Sequence, residues 1–128
     1  MHMENRLYGF LIDDDIQFDI ANRRLLYYSD GASERTLFFK VISLNEIQTR
    51  LLIYLLANCR DAVIYKNDIM KNVWEEINLS SSSQRLWHAI NELRKKLASL
   101  GLPEDFIANV HGIGYSVDNH RISSLFIK

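Results

Sequence analysis

Between Ser82 and Lys96 the chain concentrates side chains that can handle a polyanion: Gln84, Arg85, His88, Asn91, Glu92, Arg94, Lys95 and Lys96. Helical phase, about 100° per residue, brings Leu86, Ile90, Leu93 and Leu97 within about 60° of one another. Gln84, His88, Asn91, Glu92 and Lys95 then share the opposite face. Cations settle on phosphate oxygens, Asn and Gln match the adenine edge, and Glu accepts from the cytosine amino group. One serine just ahead, Ser81 or Ser82, is placed to cap the helix. Its free N–H groups with Ser80 to Ser83 form a phosphate-sized donor set. Trp87 falls on a flank, where it could pack against either the hairpin that follows or a sugar, and its large apolar area favours burial in the fold.

Other constellations are weaker. Asp13-Asp14-Asp15 lacks the spaced ligands of a cation loop and reads as a solvated turn. His88, His111, His120 and Cys59 contain no local ligand pair, so neither a metal nor another cofactor is expected. No paired carboxylates share an apolar cleft, no G-x-S-x-G occurs and no Gly-rich phosphate loop is present, which argues against an enzyme. Cys59 beside Leu55, Leu56 and Ala57 reads as a partly buried thiol in a reducing compartment. No run of 18 apolar residues and no signal-peptide pattern occur, giving a cytoplasmic expectation for this segment; Leu125-Phe126-Ile127 is too short to mark a span.

The composition fits one self-sufficient domain, with 128 residues and 48% hydrophobic content. Net charge is −1, so any anion-binding surface is local, and residues 80–128 hold the positive excess. Met1-His2-Met3 reads as a vector remnant ahead of a native start, leaving a single domain over 4–128.

Period-two alternation at Tyr8, Phe10 and Ile12 and at Ile16, Phe18 and Ile20 predicts strands. Further strands are predicted over Leu25 to Tyr28, ended by Asp30-Gly31, and over Thr36 to Val41. Together they make a four-stranded antiparallel sheet over 8–41. Ser43 and Glu46 form a candidate capping box for a helix over 44–58, with Leu44, Ile47, Leu51, Tyr54 and Leu55 as its buried stripe. A second helix over 66–75 buries Ile69, Val73 and Trp74. The third runs over 82–100, stopped by Gly101 and Pro103. Phe106 to Val110 and Tyr115 to Val117 flank a hairpin turn, a wing over 106–118, in which Gly112 and Gly114 permit unusual backbone angles. The class is α+β.

Helix, loop, amphipathic helix and glycine-containing hairpin are the parts of a winged helix-turn-helix. "SLNEIQTRLLIYLLANCRDAVIYKNDIMKNVW", with Ser43, Glu46, Val73 and Trp74, "INELRKKL" from Ile90 to Leu97, and "NVHGIGYSV" from Asn109 to Val117 resemble the OmpR/PhoB family of DNA-binding domains in that order. The "ELRK" variant is similar to the ToxR/CadC subgroup, whose members are anchored in the membrane by a following helix. The resemblance implies a bacterial transcription regulator with the third helix in the major groove of promoter DNA and the wing on adjacent backbone or minor groove. Implied DNA contacts are Ser82, Gln84, Arg85, His88, Asn91, Glu92, Arg94, Lys95 and His111. By the same resemblance the loop Glu75, Glu76, Ile77, Asn78 and Leu79 faces RNA polymerase, and self-association on tandem sites and an inner-membrane tether become partners to consider. The chain departs from the family at Asn91 and Glu92, where arginines are frequent, and at His111, which replaces the usual wing Arg. Net acidity, Glu92 and His111 favour the alternative, a degenerate winged helix acting mainly as a protein-interaction module for RNA polymerase or a partner regulator, whereas the positive charge of Arg85, Arg94, Lys95 and Lys96 favours DNA, which is the expected partner.

Overall fold

The computed structural model describes residues 6–30 and 37–127. Met1-His2-Met3, Gly31 and Thr36 lie outside them. The chain divides into two compact units, one of residues 1–44 with 120–128 and one of residues 45–119.

The first unit is an antiparallel sheet of β1 (Arg6–Ile12), β2 (Ile16–Asp19), β3 (Arg24–Asp30), β4 (Leu37–Ser43) and β8 (Ile122–Ile127), in the order β4-β3-β2-β1-β8. Alternation puts Phe10, Ile12, Ile16, Phe18 and Leu25 on one face, all at most 1% exposed. Phe10 and Phe18, directly opposite in register, stack with ring centroids 6.2 Å apart. The sheet has one strand more than the sequence predicts. In "ISSLFI" two serines interrupt the apolar alternation, and the pairing partner is β1 at the far end of the chain, so no local signal marks this strand.

Asp13-Asp14-Asp15 is the turn between β1 and β2, with Asp13 and Asp14 at φ 55° and 62°. Short polar side chains tolerate this left-handed backbone better than most. Arg121 donates to the Asp13 carboxylate, and the Asp13 N–H donates to the Arg121 carbonyl. Asp15 differs from its neighbours: its Oδ1 is buried with no hydrogen-bond partner among the described residues. Burial, with the Asp13 charge next, raises its pKa above the ordinary carboxylate value. No group of three or more His, Cys, Asp or Glu suited to a metal occurs among the described residues.

The second unit contains α1 (Glu46–Ala57), β5 (Ile64–Tyr65), α2 (Lys66–Val73), a 3₁₀ turn (Glu75–Ile77), α3 (Ser83–Ala98), a second 3₁₀ turn (Glu104–Phe106), β6 (Ile107–Val110) and β7 (Gly114–Val117). Its core is built from Leu51, Leu52 and Leu55 of α1, Ile69 and Val73 of α2, and Leu86, Ile90 and Leu93 of α3, all fully buried.

The cap of α1 corrects the sequence reading. Asn45, not Ser43, accepts from the Gln48 N–H at 2.8 Å, and Gln48 Oε1 accepts from the Asn45 N–H at 3.0 Å. Two overlapping capping boxes exist in the sequence. Ser43 closes β4, where it is in register with Arg24, and the helix starts at Glu46, two residues later than a Ser43 cap would place it. No helix among the described residues is long and apolar enough to cross a membrane.

Candidate nucleic-acid interface

Three side-chain networks organise the helices of this unit. Ser82 is the N-cap, its Oγ accepting from the Arg85 N–H at 3.1 Å. Arg50 of α1 donates from Nε to the Val73 carbonyl at 2.9 Å and from its terminal nitrogen to the Asn72 carbonyl at 2.6 Å. It thereby satisfies the open end of α2, where intrahelical donors run out. Lys96 donates to Gln48 Oε1 at 2.8 Å, so the cap of α1 and the last turn of α3 share one bond network.

Leu86, Ile90, Leu93 and Leu97 are buried along α3, as the period requires. Gln84, Arg85, His88, Glu92 and Lys95 are exposed, and Asn91 is half-buried. The predicted residues therefore come together on one helix face, but their partners differ. Arg85 donates to the Ser80 carbonyl at 2.9 Å and to the Ser80 hydroxyl at 3.1 Å, holding its charge beside the amino end of α3. Lys95 pairs with Glu92 at 3.0 Å, an exposed i, i+3 contact that solvent screens. Asn91 Nδ2 donates to the Trp87 carbonyl at 2.9 Å, which orients its amide and takes one of its two donors.

Arg94 is the residue whose role sequence reasoning misses. It points to β6 and donates to the Ile107 carbonyl at 2.9 Å from Nε and 2.6 Å from a terminal nitrogen. The same nitrogen reaches Asn109 Oδ1 at 3.1 Å, and the guanidinium lies 5.8 Å from the centre of the Tyr115 ring. A planar five-donor fork suits this multidentate use. Arg94 thus fastens the wing to α3. Burial raises the Tyr115 pKa, an effect that the Arg94 charge opposes. The available signal was helical phase: Arg94 lies beside the apolar stripe, away from the centre of the polar face.

The wing is a three-stranded sheet in the order β5-β7-β6. Its tip carries His111 at φ 43° and Gly112 at φ 73°, closed by the Ile113 N–H donating to the Val110 carbonyl at 2.9 Å. Two successive positive φ angles are the signature of a type I′ turn. His111 is exposed there. Gly114 is needed for a different reason from the one the sequence gives. A Cβ at Gly114 would lie 2.2 Å from the Ile64 carbonyl oxygen, so glycine lets β5 approach β7.

Trp87 contradicts its expected burial. It is 55% exposed, with the His88 ring meeting it edge-on at 5.1 Å between centroids. Along the flank of α3 it heads an open groove shared with Asn91, Arg94, Ala98, Ile107 and Asn109. Glu75 to Leu79 form the 3₁₀ turn and its exit, where Asn78 takes φ 60° and Ser81 Oγ donates to Glu75 Oε2 at 2.9 Å. Cys59 is half-buried, and burial pushes its thiol pKa up.

A capped, amphipathic third helix with a hairpin fastened to its side defines the class as a winged helix-turn-helix domain of the OmpR/PhoB type. The chain belongs to the family described as the C-terminal domain of transcriptional regulatory proteins, which matches residues 40–117. It is 34% identical over 74 residues to the protein RcaC of Microchaete diplosiphon, a match covering 58% of this chain and 11% of RcaC. The fold is similar to the DNA-binding domain of Escherichia coli CadC, with a TM-score of 0.71 and 16% identity over 95% of this chain and 100% of that one. It is also similar to the DNA-binding domain of the response regulator AdeR in complex with an intercistronic region, with a TM-score of 0.63 and 18% identity over 82% of this chain and 95% of that one.

Proposed function

We propose that the chain reads double-stranded promoter DNA, with α3 in the major groove and the wing tip on the adjacent backbone or minor groove. The supporting observation is the open face of α3, where Gln84, Arg85, His88, Glu92 and Lys95 stand exposed along one side of a helix whose other side is buried. Arg85, Lys95 and the Ser82-capped helix end supply phosphate contacts, and Gln84, His88 and Glu92 face base edges, with Asn91 beside them bonded to the Trp87 carbonyl. Arg94 acts through the wing, whose tip residue His111 it helps to position. The exposed turn Glu75–Leu79 is assigned to contact with RNA polymerase. Self-association on tandem sites and an inner-membrane tether in the full-length protein belong to the same reading.

Division of labour within α3 is testable by selecting binding sites from a random duplex library and measuring affinities for selected and scrambled DNA. Lys95→Ala is expected to weaken both alike, whereas Gln84→Ala narrows the ratio between them, each base contact being worth about 1–3 kcal/mol. Equal losses on both duplexes for Gln84→Ala would reject its assignment as a base reader.

A further inference from the structure

Trp87 is a large apolar side chain standing 55% exposed in a row of polar ones. It lies in the second turn of α3, one helical turn before Asn91, and among the described residues the one ring paired with it is that of His88, edge-on. The Asn91 amide is already bonded to the Trp87 carbonyl, and Arg94 donates to Asn91 Oδ1 at 3.4 Å, so bidentate adenine recognition by Asn91 would disturb contacts that hold the flank together. The residue best placed to discriminate on this flank is therefore apolar. The 5-methyl group of thymine is the one apolar feature of base edges in the major groove.

We propose that Trp87 is a specificity-determining residue that packs its indole against a thymine methyl group in the major groove. This inference rests on the reading of α3 as the DNA-facing helix. Binding would bury indole surface that water now covers, which is favourable in proportion to the apolar area removed. It would also make the domain prefer A·T pairs at the step beneath the first half of α3.

The test uses the wild-type chain and Trp87→Ala on a duplex obtained by site selection, with each thymine replaced in turn by deoxyuridine, which deletes only the methyl group. Trp87 is exposed, so circular dichroism of the variant should match wild type. For wild type, deoxyuridine at one or two positions is expected to weaken binding about three- to fourfold, the scale of one buried methyl. For Trp87→Ala those replacements should have no effect, because the partner is gone. The chain has two tryptophans, and Trp74 is buried, so a change in tryptophan emission on binding reports Trp87.

Wild-type binding that is indifferent to every deoxyuridine replacement would overturn the methyl contact, even if emission changed as it would for packing on a sugar. A deoxyuridine effect of equal size in Trp87→Ala would assign the methyl to another residue and overturn it as well. Failure of the wild type to bind any duplex at low salt would instead overturn the DNA reading itself, and this inference with it.

Discussion

In the turn between β1 and β2, Arg121 is bonded to Asp13, and at the β2–β3 end Arg24 meets Asp19 at 3.0 Å, each ion pair closing a loop of the sheet. On α3 the charges are arranged differently. Among the described residues Arg85 is bonded to the serine segment next to it and Lys95 to Glu92 on its own helix, both at the surface. The same residue types thus fasten one unit internally and line an open face in the other. Charge count in the sequence does not separate these uses; partner and exposure do. Even within α3, Lys96 and Arg94 belong with the fastening group, because one reaches Gln48 of α1 and the other the Ile107 carbonyl.

The largest expected effect breaks the scaffold behind the open face. Leu93→Ala removes a fully buried side chain between the polar face of α3 and the rest of its unit. It should cost about 2–5 kcal/mol, the range for such cavities, and appear as a clear fall in the midpoint of denaturant unfolding. A midpoint within error of wild type would show that α3 is not packed as described.

Arg94→Ala should have the next largest effect. Charged donors to a partly buried carbonyl and to Asn109 are lost, which predicts destabilisation of about 1–3 kcal/mol. Amide exchange in β6 and β7 should accelerate more than in α1. If Arg94 served only as a phosphate contact, DNA affinity would fall while exchange in the wing stayed unchanged.

The smallest effect concerns Asp15 and carries a sign. Its pKa is raised in the folded state by burial and by Asp13, so the fold binds this proton more tightly than the unfolded chain. This contribution favours folding at low pH and becomes less favourable as pH rises from the unfolded pKa through the folded one. Asp15→Asn should therefore raise the thermal midpoint at neutral pH, with the gain shrinking towards acidic pH. Asp19 is the opposite case: the Asn22 side chain, with help from Arg24, lowers its pKa. Asp19→Asn should lower the midpoint at neutral pH, and that loss should fade as pH falls through the depressed folded pKa. Midpoint differences independent of pH for both variants would contradict this electrostatic account.

Much of the second unit was legible because its signals are local. The stripe Leu86, Ile90, Leu93 and Leu97 repeats at helical spacing, and the glycine-containing turn at His111-Gly112-Ile113-Gly114 signals a hairpin, although the left-handed residues at its tip are His111 and Gly112 and not Gly112 and Gly114. What escaped the sequence depends on distant partners. β8 is recognisable only beside β1, the fastening role of Arg94 only once β6 lies against α3, and the need for Gly114 only when the Ile64 carbonyl is in place. Trp87 escaped for another reason. Its size argued for burial, yet the flank it occupies is open, and an exposed tryptophan on a polar face is a feature that stability alone does not explain.

The central claim, that the open face of α3 is the DNA-reading surface, is tested most directly by the salt dependence of binding, starting near 50 mM salt with selected and scrambled duplexes. Five or six phosphate contacts predict a loss of affinity of roughly 500- to 2,000-fold between 50 and 200 mM salt. Arg85→Ala combined with Lys95→Ala should make the slope shallower by about two contacts' worth. A slope unchanged by the double variant, or no binding by the wild type even at the lowest salt, would contradict the account.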